Sequence, residues 1–300
     1  MRVLTQILLL LVSVTFSQSA VGQDRFKDVV VNAEEVAPGL HMLTGAGGNL
    51  ALVSGDGAPV LIDDQYAQMA TKIRAAVARI TDGKVGYILN THWHGDHTGG
   101  NETFSRSDAV IVAHENVRKR LSTDQFNALR NSTTKAAPEA AWPVVTFTRD
   151  LTLHMNGKTL QIEHIANAHT DGDSIVWFVE DNALHTGDLF FNGMFPYIDI
   201  NSGGSIRGTV AAADKMLARV NAETKIIPGH GPLTGRDDLR AYRDFLTTVA
   251  DAIEGMIAEG KTEAQVVAAK PTADFDAHFN RIGFFKPDQW VALIYKDLSR

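Results

Sequence analysis

"THWHGDHTGG", residues Thr91 to Gly100, places three histidines and one aspartate within six positions, directly after the apolar run "VGYIL". An H-x-H-x-D-H string arises in roughly one shuffled sequence in a thousand, so a polar loop that happens to be histidine-rich is the weaker explanation. Neutral imidazole nitrogens and a carboxylate oxygen are the ligands zinc takes where thiolate is absent, and the chain has no cysteine. Alternate residues of an extended loop point the same way, so His92 and His94 are expected to converge on one ion. Asp96 and His97 then face elsewhere, toward a second. Gly95 and the pair Gly99-Gly100 permit the tight backbone that such a loop needs.

Working outward, "GLHMLTG", "NLALVS" and "APVLIDD" are short β-rich runs separated by Gly, Asp and Pro, and read as successive strands. Met69, Ile73, Val77 and Ile80 recur at helical spacing and predict a helix over Tyr66 to Ile80 with one apolar face. The strand "VGYILN" follows. It puts the histidine motif at a strand's C-terminal end, where open α/β sheets place their sites. "AVIVA" reads as the next strand and "ENVRKRL" as a helix, while the polar stretch Asn131 to Pro143 is a candidate lid. Asn156-Gly157 marks one hairpin turn, and "SIVWFVEDNALHTGD" a second hairpin turning at Glu180 to Asn182. Val210, Ala213, Leu217 and Val220 mark an amphipathic helix, "TKIIPGHG" a strand and loop, and Leu239, Tyr242, Leu246, Val249, Ile253 and Met256 a long helix. Without linker, repeat or low-complexity tract, residues 23–300 read as one α/β domain with a helical C-terminal portion.

The N-terminus, "MRVLTQILLLLVSVTFSQSAVGQD", has one basic residue, an apolar run from Val3 to Phe16 and then small residues. It fits a signal peptide over residues 1–22, cleaved between Ser19 and Gln23, and a periplasmic or secreted protein. The run is too short to span a membrane as a mature helix, so no membrane association is expected after cleavage. Cleavage removes Arg2 and no acid, moving the formal net charge from −7 to −8. That acidic balance argues against nucleic acid as a partner. The lack of cysteine excludes disulfides and zinc–thiolate chemistry and suits an oxidising compartment.

"THWHGDHTGG", "NAHTDGDSIV", "LHTGDLFF" and "IIPGHGPL" occur in the order found in the metallo-β-lactamase superfamily, which the chain resembles from about Gly39 to about Tyr242. The resemblance implies an αββα sandwich of two mixed β-sheets flanked by helices, and two Zn²⁺ ions per chain. By that pattern His92, His94 and His169 hold one zinc, Asp96, His97 and His230 hold the other, and Asp188 bridges them, as in glyoxalase-II-like members. Asp63 in "LIDD" is similar to the family's aspartate that orients a ligand without binding metal. His41, His154, His164, His185 and His278 read as structural. His114, at a helix start soon after the motif, is held as a candidate for the cleft.

Two Zn²⁺ opposed by Asp96 and Asp188 leave a net charge of about +2, which favours a bridging hydroxide near neutral pH. The expected activity is therefore attack of that hydroxide on a carbonyl, with Asp96 as the catalytic carboxylate orienting it and a small molecule as substrate. A β-lactam leads, because export and the family both point there. A thioesterase or lactonase of the same fold is the alternative. "DLFFNGMFPYID" has no basic residue to hold a substrate carboxylate, which leaves Arg207 as the nearest candidate, with Asn192 and Tyr197 as candidate oxyanion donors. From other classes come a mononuclear-iron persulfide dioxygenase using His92, His169 and Asp188, and a non-catalytic zinc-binding module.

Overall fold

In "LALV", residues 50–53, every side chain is buried. Leu50 and Leu52 enter one core cluster and Ala51 and Val53 another. A strand apolar on both faces has to lie between two layers, and that requirement organises the molecule. The computed structural model describes residues 25–127, 131–280 and 285–300; the expected signal segment lies outside them.

The first sheet collects β1 (Asn32–Ala37), β2 (Leu40–Thr44), β3 (Leu50–Val53), β4 (Val60–Ile62), β5 (Tyr87–Asn90), β6 (Val110–His114) and, after the hairpin strands β7 (Gln125–Asn127) and β8 (Ser132–Thr134), β9 (Val145–Phe147). Its order is β1-β2-β3-β4-β5-β6-β9, antiparallel as far as β4 and parallel beyond. The second sheet runs β10 (Asp150–Met155), β11 (Lys158–His164), β12 (Ser174–Phe178), β13 (Ala183–His185) and β14 (Lys225–Ile227), parallel only between the last two. Both sheets are thus mixed. Ile62, Leu89 and Val112 of the first meet Ile162, Val176, Phe178 and Ile227 of the second in a shared core.

Helices close both outer faces. On the first sheet, α1 (Ala70–Val77) lays Ile73, Ala76 and Val77 against Leu50, Leu52 and Ile88; α2 (Gly95–Thr98), α3 (Asn101–Ser105) and α4 (Glu115–Leu121) follow. The second is covered by α5 (Ile206–Arg219), α6 (Arg236–Ala258) and, after α7 (Glu263–Ala269) and α8 (Asp276–Phe279), α9 (Pro287–Leu298). This is the αββα sandwich with a helical C-terminal region. Among the described residues no helix is long and apolar enough to cross a membrane.

Local chemistry explains the turns. Asn156 and Gly157 both take positive φ, 54° and 72°, between the paired residues Met155 and Lys158, the two-residue turn whose twist matches that of its strands. The helix expected over Tyr66 to Ile80 begins as a 3₁₀ turn at Ala67–Met69 and continues as α1. The candidate lid does not form a single loop. Its first part, β8, pairs with β7. Its second part is strapped down, with Ala137 N–H donating to Leu121 O, Trp142 Nε1 to Ala137 O and Asn101 Nδ2 to Ala141 O. Its first part is exposed, and one of its residues, Thr134, lines the cleft described below.

Candidate metal centre

Every expected ligand lies at one end of the sandwich. His92 follows β5, and His94 is the extended residue that starts α2, which carries Asp96 and His97. His169 lies between β11 and β12, Asp188 in the 3₁₀ turn after β13, and His230 in the loop after β14. Strand ends from both sheets therefore supply one site, and they bring together residues up to 138 positions apart (92 to 230).

His94 Nδ1 stands 3.1 Å from His92 Nε2 and 2.9 Å from His169 Nε2. Asp188 Oδ2 lies 3.7 Å from His92 Nε2 and 3.5 Å from His169 Nε2. On the other side, Asp188 Oδ1 is 3.1 Å from His97 Nε2 and 3.4 Å from His230 Nε2, and Asp96 Oδ2 is 3.8 and 3.4 Å from the same two nitrogens. Ligand atoms around a four-coordinate zinc stand about 3.3 Å apart. The two groups, His92/His94/His169/Asp188 and Asp96/His97/His230, match that spacing, and the two oxygens of Asp188 face one group each.

The outward ring nitrogens have protein partners, which turns the other nitrogen of each ring inward. His94 Nε2–H donates to Asp199 Oδ2 at 2.9 Å and His169 Nδ1–H to Tyr197 O at 2.6 Å. The Thr91 hydroxyl gives its proton to Asp63 Oδ2 at 2.7 Å, so its oxygen accepts from His92 Nδ1–H at 3.1 Å. Asp63 Oδ2 also accepts from His97 Nδ1–H at 2.7 Å. One buried carboxylate thus orients a ring in each triad, which fits the expected supporting role of Asp63. Asp188 Oδ1 is buried without a well-formed hydrogen bond. An orphaned carboxylate oxygen and inward-facing imidazole nitrogens form a set suited to cations once the nitrogens are deprotonated.

Protonation divides the site. Burial pushes the His92 imidazole well below its ordinary value and His169 down to about 4, so both are neutral near pH 7. Burial acts the same way on His97 and His230, but Asp188 and the other nearby carboxylates override it. They hold His97 well above the ordinary value and His230 at about 9. Asp188, raised by burial, is pulled well below the usual carboxylate range by His97, His230 and His92, and Asp96 settles at about 2.

Close backbone approach is part of the design. A Cβ on Gly229 would lie 2.2 Å from Asp188 Oδ1, and one on Gly48 2.0 Å from His97 Cε1. Asn49 clamps the His230 loop, donating Nδ2 to Pro228 O and Gly231 O, and His185 Nε2–H donates to Asn49 O. Neither glycine nor Asn49 was singled out in the sequence, where "GAGGN" shows only a turn-rich run. Asp199 was missed as well, because nothing near "YIDI" signals a partner 105 residues away.

The ligands open into a cleft of about 520 Å³, lined by His94, Asp96, Asp188 and His230 and walled by Tyr66, Trp93, Phe126, Tyr197 and Phe285. Tyr197 is there, its ring centroid 5.7 Å from that of His94 and its hydroxyl accepting from Asn127 Nδ2. Asn192 is not on this wall. Its Nδ2 donates to Pro232 O and its N–H to His230 O, so it braces the metal loop rather than facing substrate. His114 is also absent from the cleft: its ring stacks on His164 at 3.7 Å, and its Nδ1 accepts from Asn116 N–H. Arg207 is paired with Glu254 and Asp251 of α6, away from the site. Among the described residues the arginines that line the cleft are Arg25 and Arg120.

The family model for the metallo-beta-lactamase superfamily matches residues 43–230. A metallo-beta-lactamase type 2 of Bacteroides fragilis is 26% identical over 196 residues, 62% of this chain and 72% of that protein. A hydroxyacylglutathione hydrolase of Polaromonas sp. is 26% identical over 161 residues, 52% of each chain, so the match spans about half of that relative. The crystal structure of the DIM-1 metallo-beta-lactamase superposes with a TM-score of 0.59 at 18% identity, over 74% of this chain and 99% of that one, a likeness of fold.

Proposed function

The chain belongs to the metallo-beta-lactamase superfamily, and on that premise we propose that it is an exported dinuclear zinc hydrolase that cleaves a carbonyl-containing small molecule, with a β-lactam as leading substrate. What carries the reading is Asp188, whose Oδ1 and Oδ2 face separate ligand triads at 3.1–3.7 Å. Zinc in both triads would supply the positive charge that activates water near neutral pH and polarises a carbonyl oxygen.

The protein's own groups then do three things. Asp96, ionised well below neutral pH and within reach of the cleft, offers Oδ2 as acceptor for a proton of the attacking water and so orients it. The outward hydrogen bonds to Asp63, Asp199 and Tyr197 O keep the ligand rings from turning. Trp93 and Tyr197 line the cleft beside His94 and keep bulk water from that side.

Thioester cleavage is the second reading, favoured by the hydroxyacylglutathione hydrolase relative and by an aspartate at 188, near where some lactamases of the fold have cysteine. The zinc-loaded protein assayed with nitrocefin, a carbapenem, an acyl-homoserine lactone and a glutathione thioester separates these. Lactam turnover supports the leading reading, and fast thioester cleavage without it reverses the order. Two zinc ions per chain by elemental analysis are expected; one iron with persulfide oxygenation would overturn the hydrolase. Export predicts a mature N-terminus beginning between residues 20 and 23 in periplasmic or culture fractions, and resistance to β-lactams in a host that expresses it.

A further inference from the structure

We propose that Arg25 is the specificity-determining residue of the cleft and receives a carboxylate of the substrate, a proposal that rests on the hydrolase reading of the same site. Among the described residues two arginines line this cleft, and their situations differ. Arg120 is filled: its Nε and Nη2 donate to the two oxygens of Asp171 at 2.7 Å each, and its Nη1 to Gln125 at 2.9 Å. Arg25 forms no ion pair among the described residues; its guanidinium lies over the rings of Phe26 and Tyr66, 5.0 and 5.2 Å from their centroids, and hydrogen-bonds to the Tyr66 hydroxyl. A guanidinium has five N–H donors, so one bond to a phenol leaves others on its edge for a carboxylate.

Its position is built. Lys72 of α1 donates Nζ to Phe26 O, Lys27 O and Val29 O at 2.8, 2.6 and 2.7 Å, clamping the turn that carries Arg25. Phe26 is buried and packs on Tyr66 at 5.2 Å. Tyr66 is itself a cleft residue, and burial together with the charge of Asp96 raises its phenol, which stays protonated as a second donor beside Arg25. Trp93, Tyr197, Phe285 and Phe126, the last 60% exposed, line the same cleft. A cleft that holds a guanidinium without a carboxylate partner and several aromatic rings suits a small amphipathic anion. The carboxylates on the metal side, Asp96, Asp188 and Asp199, are each engaged by imidazoles, so among the described residues none of them is paired with Arg25.

The test compares zinc-loaded wild type with Arg25→Ala and Arg25→Lys on two esters that share one scissile acetyl group, 4-acetoxybenzoate and its neutral methyl ester. In wild type the anionic ester should have the higher kcat/KM. Arg25→Ala should reduce the anionic-to-neutral ratio about tenfold, mainly through KM, and Arg25→Lys should restore part of it. An unchanged ratio in Arg25→Ala overturns the proposal. Calorimetric binding of the uncleaved 4-acetamidobenzoate to the same proteins reads Arg25 independently of turnover. Binding about tenfold weaker in Arg25→Ala supports the role even if no ester is cleaved, an outcome that would count against the hydrolase reading alone. Equal affinity, or no binding to wild type, rejects the role of Arg25.

Discussion

His92 and His169 are neutral in their half of the centre, whereas His97 and His230, about as deeply buried, are held protonated in theirs. Residue type and burial are the same, so neither explains the difference. The carboxylates do. The first triad meets only one oxygen of Asp188, at 3.5–3.7 Å, with Asp199 behind His94. The second meets the other oxygen at 3.1–3.4 Å, has Asp96 at 3.4–3.8 Å, and has Asp63 at 2.7 Å behind His97. The first position is ready to accept a cation, and the second must release protons to do so.

Removing the shared group should produce the largest change. Asp188→Ala should lower hydrolysis on the order of 10³-fold and reduce the metal content of both positions, whereas Asp96→Asn should empty the second alone. Elemental analysis of the two variants decides this, and equal losses would break the comparison. Acidity is the next lever. Cation affinity at the second position should fall as the pH drops below about 9, by about tenfold per unit for each proton competing. At the first position His169 does not compete until the pH nears 4. Zinc titrations at pH 6, 7 and 8 should therefore show the step that fills the second position moving more steeply than the step that fills the first.

Asp199→Asn should weaken the first position about 10- to 100-fold and leave the second near wild type, because only His94 loses its orienting carboxylate. Loss at both positions would show that the halves are not separately supported. The smallest effect lies away from the metals, at His114. Burial and the neighbouring His164 lower its pKa, so its contribution to stability is present above the ordinary histidine range and is lost as the pH falls below it. The drop in Tm from pH 7 to pH 5 should be smaller in His114→Gln than in wild type.

The ligand motif was legible because its chemistry is local: His92, His94, Asp96 and His97 fall within six residues, and a strand end and a tight helix orient them. The hairpin at Asn156-Gly157 was legible for the same reason, since two residues set its backbone. β7, β8 and β9, each three residues long, were not, because so short a run carries no period. The segment Asn131 to Pro143 read as a single loop because its composition is polar; it holds β8, whose Thr134 lines the cleft, and a second part bonded to Leu121 O and by Asn101 Nδ2.

Sequence alone determined the residue types gathered at the site, the order of the strands and helices that carry them, and the absence of any cysteine that could stand in for Asp188. Tertiary structure decided which oxygen of Asp188 faces which triad, that Asp199 supports His94, that Asn192 and His114 face away from the cleft, and that Arg25 faces into it. Those facts depend on distances between residues that the chain separates by tens to more than a hundred positions. Only folding sets such distances, and with them the fields that leave one pair of histidines neutral and the other protonated.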